Sequence, residues 1–247
     1  MPMQHRSITR SIASVLLVLS TAAASYASAN PQAEGYKAAI DNKARDADRK
    51  DDARRKPAEF LAFAQVKPGM KVLDVSAGAG STSELLALAV SPGGEVWAQT
   101  GKASPKLKER LTMHPQANLH PVVADFGKPV PPGTPPLDLI TINMSYHDIA
   151  NTPADRAAMN KALYDALKPG GKLVIIDNAA KAGSGLAATK ELHRIDEQTV
   201  IAEVSKAGFA VDAKSDYLHV ANDPRDQPFF KMNGVPDDKF AVRFIKK

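Results

Sequence analysis

From residue 57 onward the apolar positions alternate between two spacings. Compact runs suit a buried strand, and repeats every three or four residues suit a helix packed on one face. The strand-type runs are Lys71 to Val75, Glu95 to Gln99, Leu119 to Ala124, Leu137 to Met144, Lys172 to Asp177, a segment from Phe209, and Lys239 to Lys246, where Phe240, Val242 and Phe244 alternate. Helix-type repeats lie between them. Leu85, Leu86, Leu88 and Ala89 follow the first run, Leu107 and Leu111 follow Ser104-Pro105, Met159, Leu163 and Leu167 follow the cap Thr152-Pro153-Ala154-Asp155, and Val200, Ile201 and Val204 follow Asp196. Turn residues separate these elements at Ser91 to Gly94, Pro129 to Pro136 and Lys168 to Gly171.

Strict alternation of strand and helix requires right-handed crossovers and a parallel sheet. The last two strands have no predicted helix between them, so the final one is expected to insert antiparallel beside its predecessor. The fold class is therefore α/β, a seven-stranded and mostly parallel sheet with helices on both faces and an antiparallel last strand. Upstream, Asn30 to Asp52 is polar and alanine-rich and predicts a peripheral helix. Pro57 opens a short helix with Phe60, Leu61 and Phe63 on its apolar side. This leading region, 30–67, either packs on the domain or covers a ligand.

The first residues have a different character. Arg6 and Arg10 stand without an acid, Ile12 to Ala24 is nearly all apolar or small, and Ala27-Ser28-Ala29 is a small-x-small cleavage site. That pattern predicts a secretory signal peptide over 1–29, an exported and periplasmic protein, and a mature domain over 30–247. The apolar run is shorter than the ~20 residues of a membrane span, so no stable insertion is expected after cleavage. There is no cysteine, which removes both a lipoprotein anchor and a disulfide framework. Without Arg6 and Arg10 the chain has 30 basic and 27 acidic side chains, too even a balance to call for nucleic acid. The charges of Arg45 to Lys56 are interleaved and predict a solvated helix face.

Candidate chemistry begins at Lys71 to Gly80, a strand running into a glycine turn, followed by Ser81, Thr82, Ser83 and Glu84 with the spacing of a capping box. Gly78 and Gly80 let backbone N–H groups approach a ligand at a helix N-terminus. The third glycine of the dinucleotide fingerprint is replaced by Ser83, which argues against a nicotinamide oxidoreductase. Strand, turn and helix instead resemble the first motif of class I S-adenosylmethionine-dependent methyltransferases. The Tyr146-His147-Asp148 run, Leu167 to Gly171, Asp177 to Ala180, His193 to Asp196 and Asn222 to Arg225 resemble one family of exported bacterial predicted methyltransferases.

The resemblance implies S-adenosylmethionine as cofactor and a small-molecule methyl acceptor. It puts Asp74, Ser76, Ala77, Gly78 and Gly80 on the carboxypropyl side and Asp125 and Phe126 beside the adenine. Gln99 takes the place of the acid that grips the ribose, and Asn143 ends the fourth strand. Ligands of open α/β sheets lie across the carboxyl ends of the strands, so Tyr146, His147 and Asp148 belong to the same region. His147 is the candidate general base, with Asp148 or Tyr146 to orient it. The alternative is that the pair only organises a loop. His193 either joins the cleft or serves structurally beside Asp196. Asp177 and Asn178, with Asn143, resemble a metal-dependent set, but one carboxylate and two amides hold a hard cation poorly, and no metal is expected. Gln99 and Ser76 also motivate a second reading, a non-catalytic binding protein on a methyltransferase scaffold with a degraded cofactor site.

Overall fold

The structure is a computed structural model that describes Met1 and residues 31–247. The predicted leader and its cleavage site lie outside the described residues. Seven strands form one sheet in the order β3-β2-β1-β4-β5-β7-β6. They are β1 (Lys71–Val75), β2 (Glu95–Thr100), β3 (Leu119–Val123), β4 (Leu137–Asn143), β5 (Leu167–Asn178), β6 (Ala210–Ser215) and β7 (Lys239–Ile245). The first five pair in parallel. β7 slots between β5 and β6 and runs antiparallel to both, as the missing crossover helix predicts.

The helices are α1 (Pro31–Ile40), α2 (Asp52–Arg55), α3 (Pro57–Phe63), α4 (Ser81–Ala89), α5 (Pro105–Met113), α6 (Tyr146–Ala150), α7 (Arg156–Ala166) and α8 (Glu197–Lys206). The strand period of two sends alternate side chains into two cores. Val72 joins Leu61, Leu86 and Leu107 under α3 to α5, while Leu73 and Val75 join Ile149, Met159, Leu163 and Val204 under α6 to α8. β1 lies between β2 and β4, so the turn that leaves it opens at the middle of the sheet.

Local chemistry shifted several boundaries. The predicted leading helix stops at Ile40, where Asn42 accepts a hydrogen bond from the Ala44 N–H and restarts the chain as two short 3-10 turns. Its charges are not simply solvated. Arg45 is buried against Asp52 and the Ile40 carbonyl, and Asp48 pairs with Arg110 of α5. At the other end of the sheet, Lys168 to Gly171 continue as the start of β5 instead of a loop, because the Gly170 N–H donates to the Lys246 carbonyl and the Lys246 N–H to that of Gly171. Among the described residues no helix is long and apolar enough to cross a membrane.

Candidate functional site

The helix after the glycine turn starts at Ser81 as the sequence predicts, yet the capping box does not form. Gly80 is the N-cap and no side chain caps it. Each member of the box is bound elsewhere. Ser81 accepts from Arg55 at 2.7 Å, Ser83 donates to Asp74 at 2.6 Å, and the buried Glu84 is held by Arg110 and Gln116. The first N–H groups of α4 are thus left for a ligand or solvent, with the helix dipole behind them.

The two glycines differ in role. Both are left-handed, at φ +59° for Gly78 and +83° for Gly80. A Cβ on Gly80 would stand 2.5 Å from Leu107 Cδ1, so this residue is small in order to admit α5. A Cβ on Gly78 meets nothing closer than the Ser76 carbonyl at 4.0 Å, and Gly78 faces a cleft of about 230 Å³. Ser76, Ala77, Thr82, Asn143 and Ser145 line that cleft together with Arg54, Arg55, Tyr217 and Lys239. α2 and the chain after it close over the turn through Arg55 on Ser81 and through Lys56 on the Tyr217 carbonyl at 2.6 Å. The leading region therefore lines the cleft through Arg54 and Arg55. The Tyr217 hydroxyl is buried with no hydrogen-bond partner among the described residues, a vacancy that a polar ligand could fill.

Other predicted cofactor residues lie beneath or beside this cleft. Asp74 is 1% exposed and accepts from Ser83 and from Thr141 at 2.7 Å, tying β1 to α4 and β4. Burial pushes its carboxyl up to about 6 against the pull of both hydroxyls. Gln99, fully buried, accepts from the Ser76 N–H at 3.0 Å and donates to the Ala124 carbonyl at 2.6 Å. It shapes the turn from behind, its oxygen and nitrogen each bound to backbone. Asp125 accepts from the Gly127 N–H, and the Phe126 ring lies over Gly101, both past the end of β3. These residues fit the nucleoside cofactor on the turn side, with Gly78 open and α4 uncapped; they do not supply the usual carboxylate at Gln99.

The Tyr146-His147-Asp148 run splits. It forms the short helix α6. Tyr146 turns into the core, where its hydroxyl donates to Glu203 at 2.8 Å and accepts from Asn160 at 2.9 Å. It does not orient His147, and burial pushes its phenol well above the usual range. His147 is 3% exposed, with Nδ1 2.6 Å from Asp177 Oδ1 and Nε2 3.2 Å from Asp148 Oδ1. Burial alone would lower its pKa, but hydrogen bonds to Asp148 and Asp177 outweigh that and push it up to about 10. Both ring nitrogens therefore face carboxylates, Nδ1 that of Asp177 and Nε2 that of Asp148. His193 stands against His147 with ring centres 5.5 Å apart, and its Nδ1 is 3.4 Å from Asp148 Oδ1. Asp196 caps α8 and accepts the Gly183 N–H.

Tyr217, Arg54, Arg55 and Lys239 escaped the sequence reading. Only the topology brings residues 54, 78, 217 and 239 to one opening, and no local pattern marks them.

Residues 47–211 match the model of the protein-L-isoaspartate(D-aspartate) O-methyltransferase family. A ubiquinone/menaquinone biosynthesis C-methyltransferase of Cupriavidus metallidurans is 28% identical over 117 residues, covering 47% of this chain and 46% of that protein. A protein-L-isoaspartate O-methyltransferase of Pyrococcus horikoshii is 33% identical over 122 residues, 48% of this chain and 49% of that protein. The chain thus spans about half the length of the curated relatives it matches. A solved SAM-dependent methyltransferase of Aquifex aeolicus superposes with a TM-score of 0.59 at 19% identity, covering 87% of this chain and 98% of that one, and bears out the fold.

Proposed function

The chain belongs to the protein-L-isoaspartate(D-aspartate) O-methyltransferase family, and from that premise we propose that it is an S-adenosylmethionine-dependent methyltransferase acting on a small molecule. The observation that carries this reading is the turn from Ser76 to Gly80, with Gly78 open to a cleft at the uncapped start of α4. When bound, the cofactor supplies an electrophilic methyl on its sulfonium. The chain's part is to hold the nucleoside and set the acceptor in line with that methyl. Ser76, Ala77, Gly78 and Asn143 take the amino-acid side of the cofactor, Arg54 suits its carboxylate, and Asp125 and Phe126 lie toward the base. The cover formed by α2 and Tyr217 supports a small acceptor over a folded protein. The acceptors named for the relatives are not carried over.

Calorimetry with S-adenosylhomocysteine tests the reading. The intact chain is expected to bind in the micromolar range. Gly78→Asn, a residue tolerated at positive φ, is expected to unfold at nearly the wild-type midpoint and to bind at least tenfold more weakly, because its side chain enters the cleft. Gly80→Ala is expected to lose roughly 1–2 kcal/mol of stability through its φ and the Leu107 contact. Absence of heat with the wild type at millimolar ligand would sink the assignment.

Residues 1–29 support a further part of the proposal, that the mature chain begins at Asn30 and acts in the periplasm. Intact-mass measurement of the protein recovered from cells checks it. A mass that retains Met1 to Ala29 would end the export reading.

A further inference from the structure

We propose that His147, Asp148 and His193 form a binding site for a divalent transition metal of the class that imidazole favours: zinc, cobalt, nickel or ferrous iron. The three side chains present one ligand atom each, and these atoms lie within 4.8 Å of one another. Asp148 Oδ1 is shared, 3.2 Å from His147 Nε2 and 3.4 Å from His193 Nδ1. Ligands about 2.0–2.2 Å from one ion stand roughly 3–3.5 Å apart, so two of the three separations already suit coordination.

The support behind the ligands is more specific than their proximity. Asp177, with no exposure, takes His147 Nδ1 at 2.6 Å while accepting the N–H groups of His147 and Asn178, each at 2.8 Å. A carboxylate so fixed keeps hydrogen on Nδ1, aims Nε2 forward as the ligand, and raises its basicity. A ring flanked by the carboxylates of Asp148 and Asp177 favours a cation at Nε2, and a metal ion is such a cation. His193 is held from the other side. Its backbone is left-handed at φ +52°, its carbonyl accepts from Asn178 Nδ2 at 2.9 Å, and its ring packs edge-on against Phe230. The neighbours Asp177 and Asn178 thus tie the end of β5 to His147 and His193 respectively. Asp148 is the open member, its side chain 56% exposed, and gives an ion a way in.

Two imidazoles and one carboxylate select borderline metals over magnesium or calcium, and three protein ligands leave a position for water or substrate. The set that the sequence suggested for a hard cation does not assemble. Asp177 is engaged by His147 and Asn178, and Asn143 reaches toward Thr82. The imidazoles that the fold brings together lie outside that set. This inference stands on the cluster alone and survives if the methyltransferase assignment falls.

The test is titration of the intact, chelator-stripped chain with Zn²⁺ by calorimetry and with Co²⁺ by visible absorption. One equivalent of Zn²⁺ is expected to bind at micromolar affinity or tighter, and Co²⁺ to give ligand-field bands. His193→Ala is expected to weaken binding on the order of 100-fold, since loss of a ligand exceeds loss of an outer partner. Asp148→Asn, at an exposed position, gives the same test without risk to the fold. His219→Ala, which alters a histidine paired with Asp238 outside the cluster, is expected to leave affinity unchanged. No binding below millimolar Zn²⁺, or binding that His193→Ala and Asp148→Asn leave intact, would overturn the site.

Discussion

Arg194→Ala is expected to destabilise the chain by about 3–5 kcal/mol, the cost of leaving a buried charge without its partner. Arg194 has no exposure. Its guanidinium donates to the Gln227 carbonyl at 2.9 Å, to the Ala179 carbonyl at 3.0 Å, and pairs with Asp223 Oδ2 at 2.8 Å. Asp223, also fully buried at its side chain, accepts the N–H groups of Asp238 and Arg225. Asp238 in turn binds Arg225 and His219. The single arginine therefore anchors the loop between β6 and β7, and with it Tyr217 and Lys239 on the cleft wall. Truncation strands Asp223 and the Gln227 and Ala179 carbonyls together. Replacing both members of the pair, Arg194→Met with Asp223→Asn, is expected to cost less than the sum of the single changes, because no unpaired charge remains. Denaturant midpoints of Arg194→Ala and of the four proteins in that cycle check both expectations. A loss below about 1 kcal/mol for Arg194→Ala would show that the pair is not what holds the loop.

That pair also shows where a sequence can be read and where it cannot. His193 to Asp196 and Asn222 to Arg225 both stood out as motifs, but nothing in either run says that Arg194 reaches Asp223. A strand declares itself by its own side chains, since burial on both faces demands a continuous apolar run, and every predicted strand was found within a few residues. A turn of glycines declares itself too. Side-chain partners that are thirty residues apart do not, because the fold chooses them: His147 finds Asp177 through the pairing of β4 with β5. The same competition misled the local reading at Ser81 to Glu84. The capping spacing was real, yet Asp74, Arg55 and Arg110 bound those side chains more strongly than the helix end could. Gln99 shows the same pull of the fold, its amide oxygen taking the turn's own Ser76 N–H from behind.

Asp74→Asn is expected to remove a fall in stability that the wild type suffers between pH 4 and pH 6. The Asp74 carboxyl has a folded-state pKa of about 6 against an ordinary 3.8, with burial as the main cause. Within that window the folded chain keeps a proton that the unfolded chain has released. The unfolded state binds fewer protons, so stability decreases as pH rises and levels off above the folded pKa. A gap of this size corresponds to roughly 3 kcal/mol. Asparagine carries no charge to desolvate, and its stability is expected to be about 3 kcal/mol less pH-dependent across the same range. Its amide cannot accept from Ser83 and Thr141 with both atoms, so one hydroxyl must reverse, a change worth about 1 kcal/mol at any pH. The slope of the difference is therefore the quantity to measure, by denaturant melts of both proteins at pH 4, 5, 6 and 7. Parallel profiles would refute a raised pKa at Asp74. A confirmed slope would identify a buried acid that lowers stability at neutral pH while joining β1, α4 and β4 directly beneath the glycine turn, where a nucleoside ligand requires the backbone to stay in place.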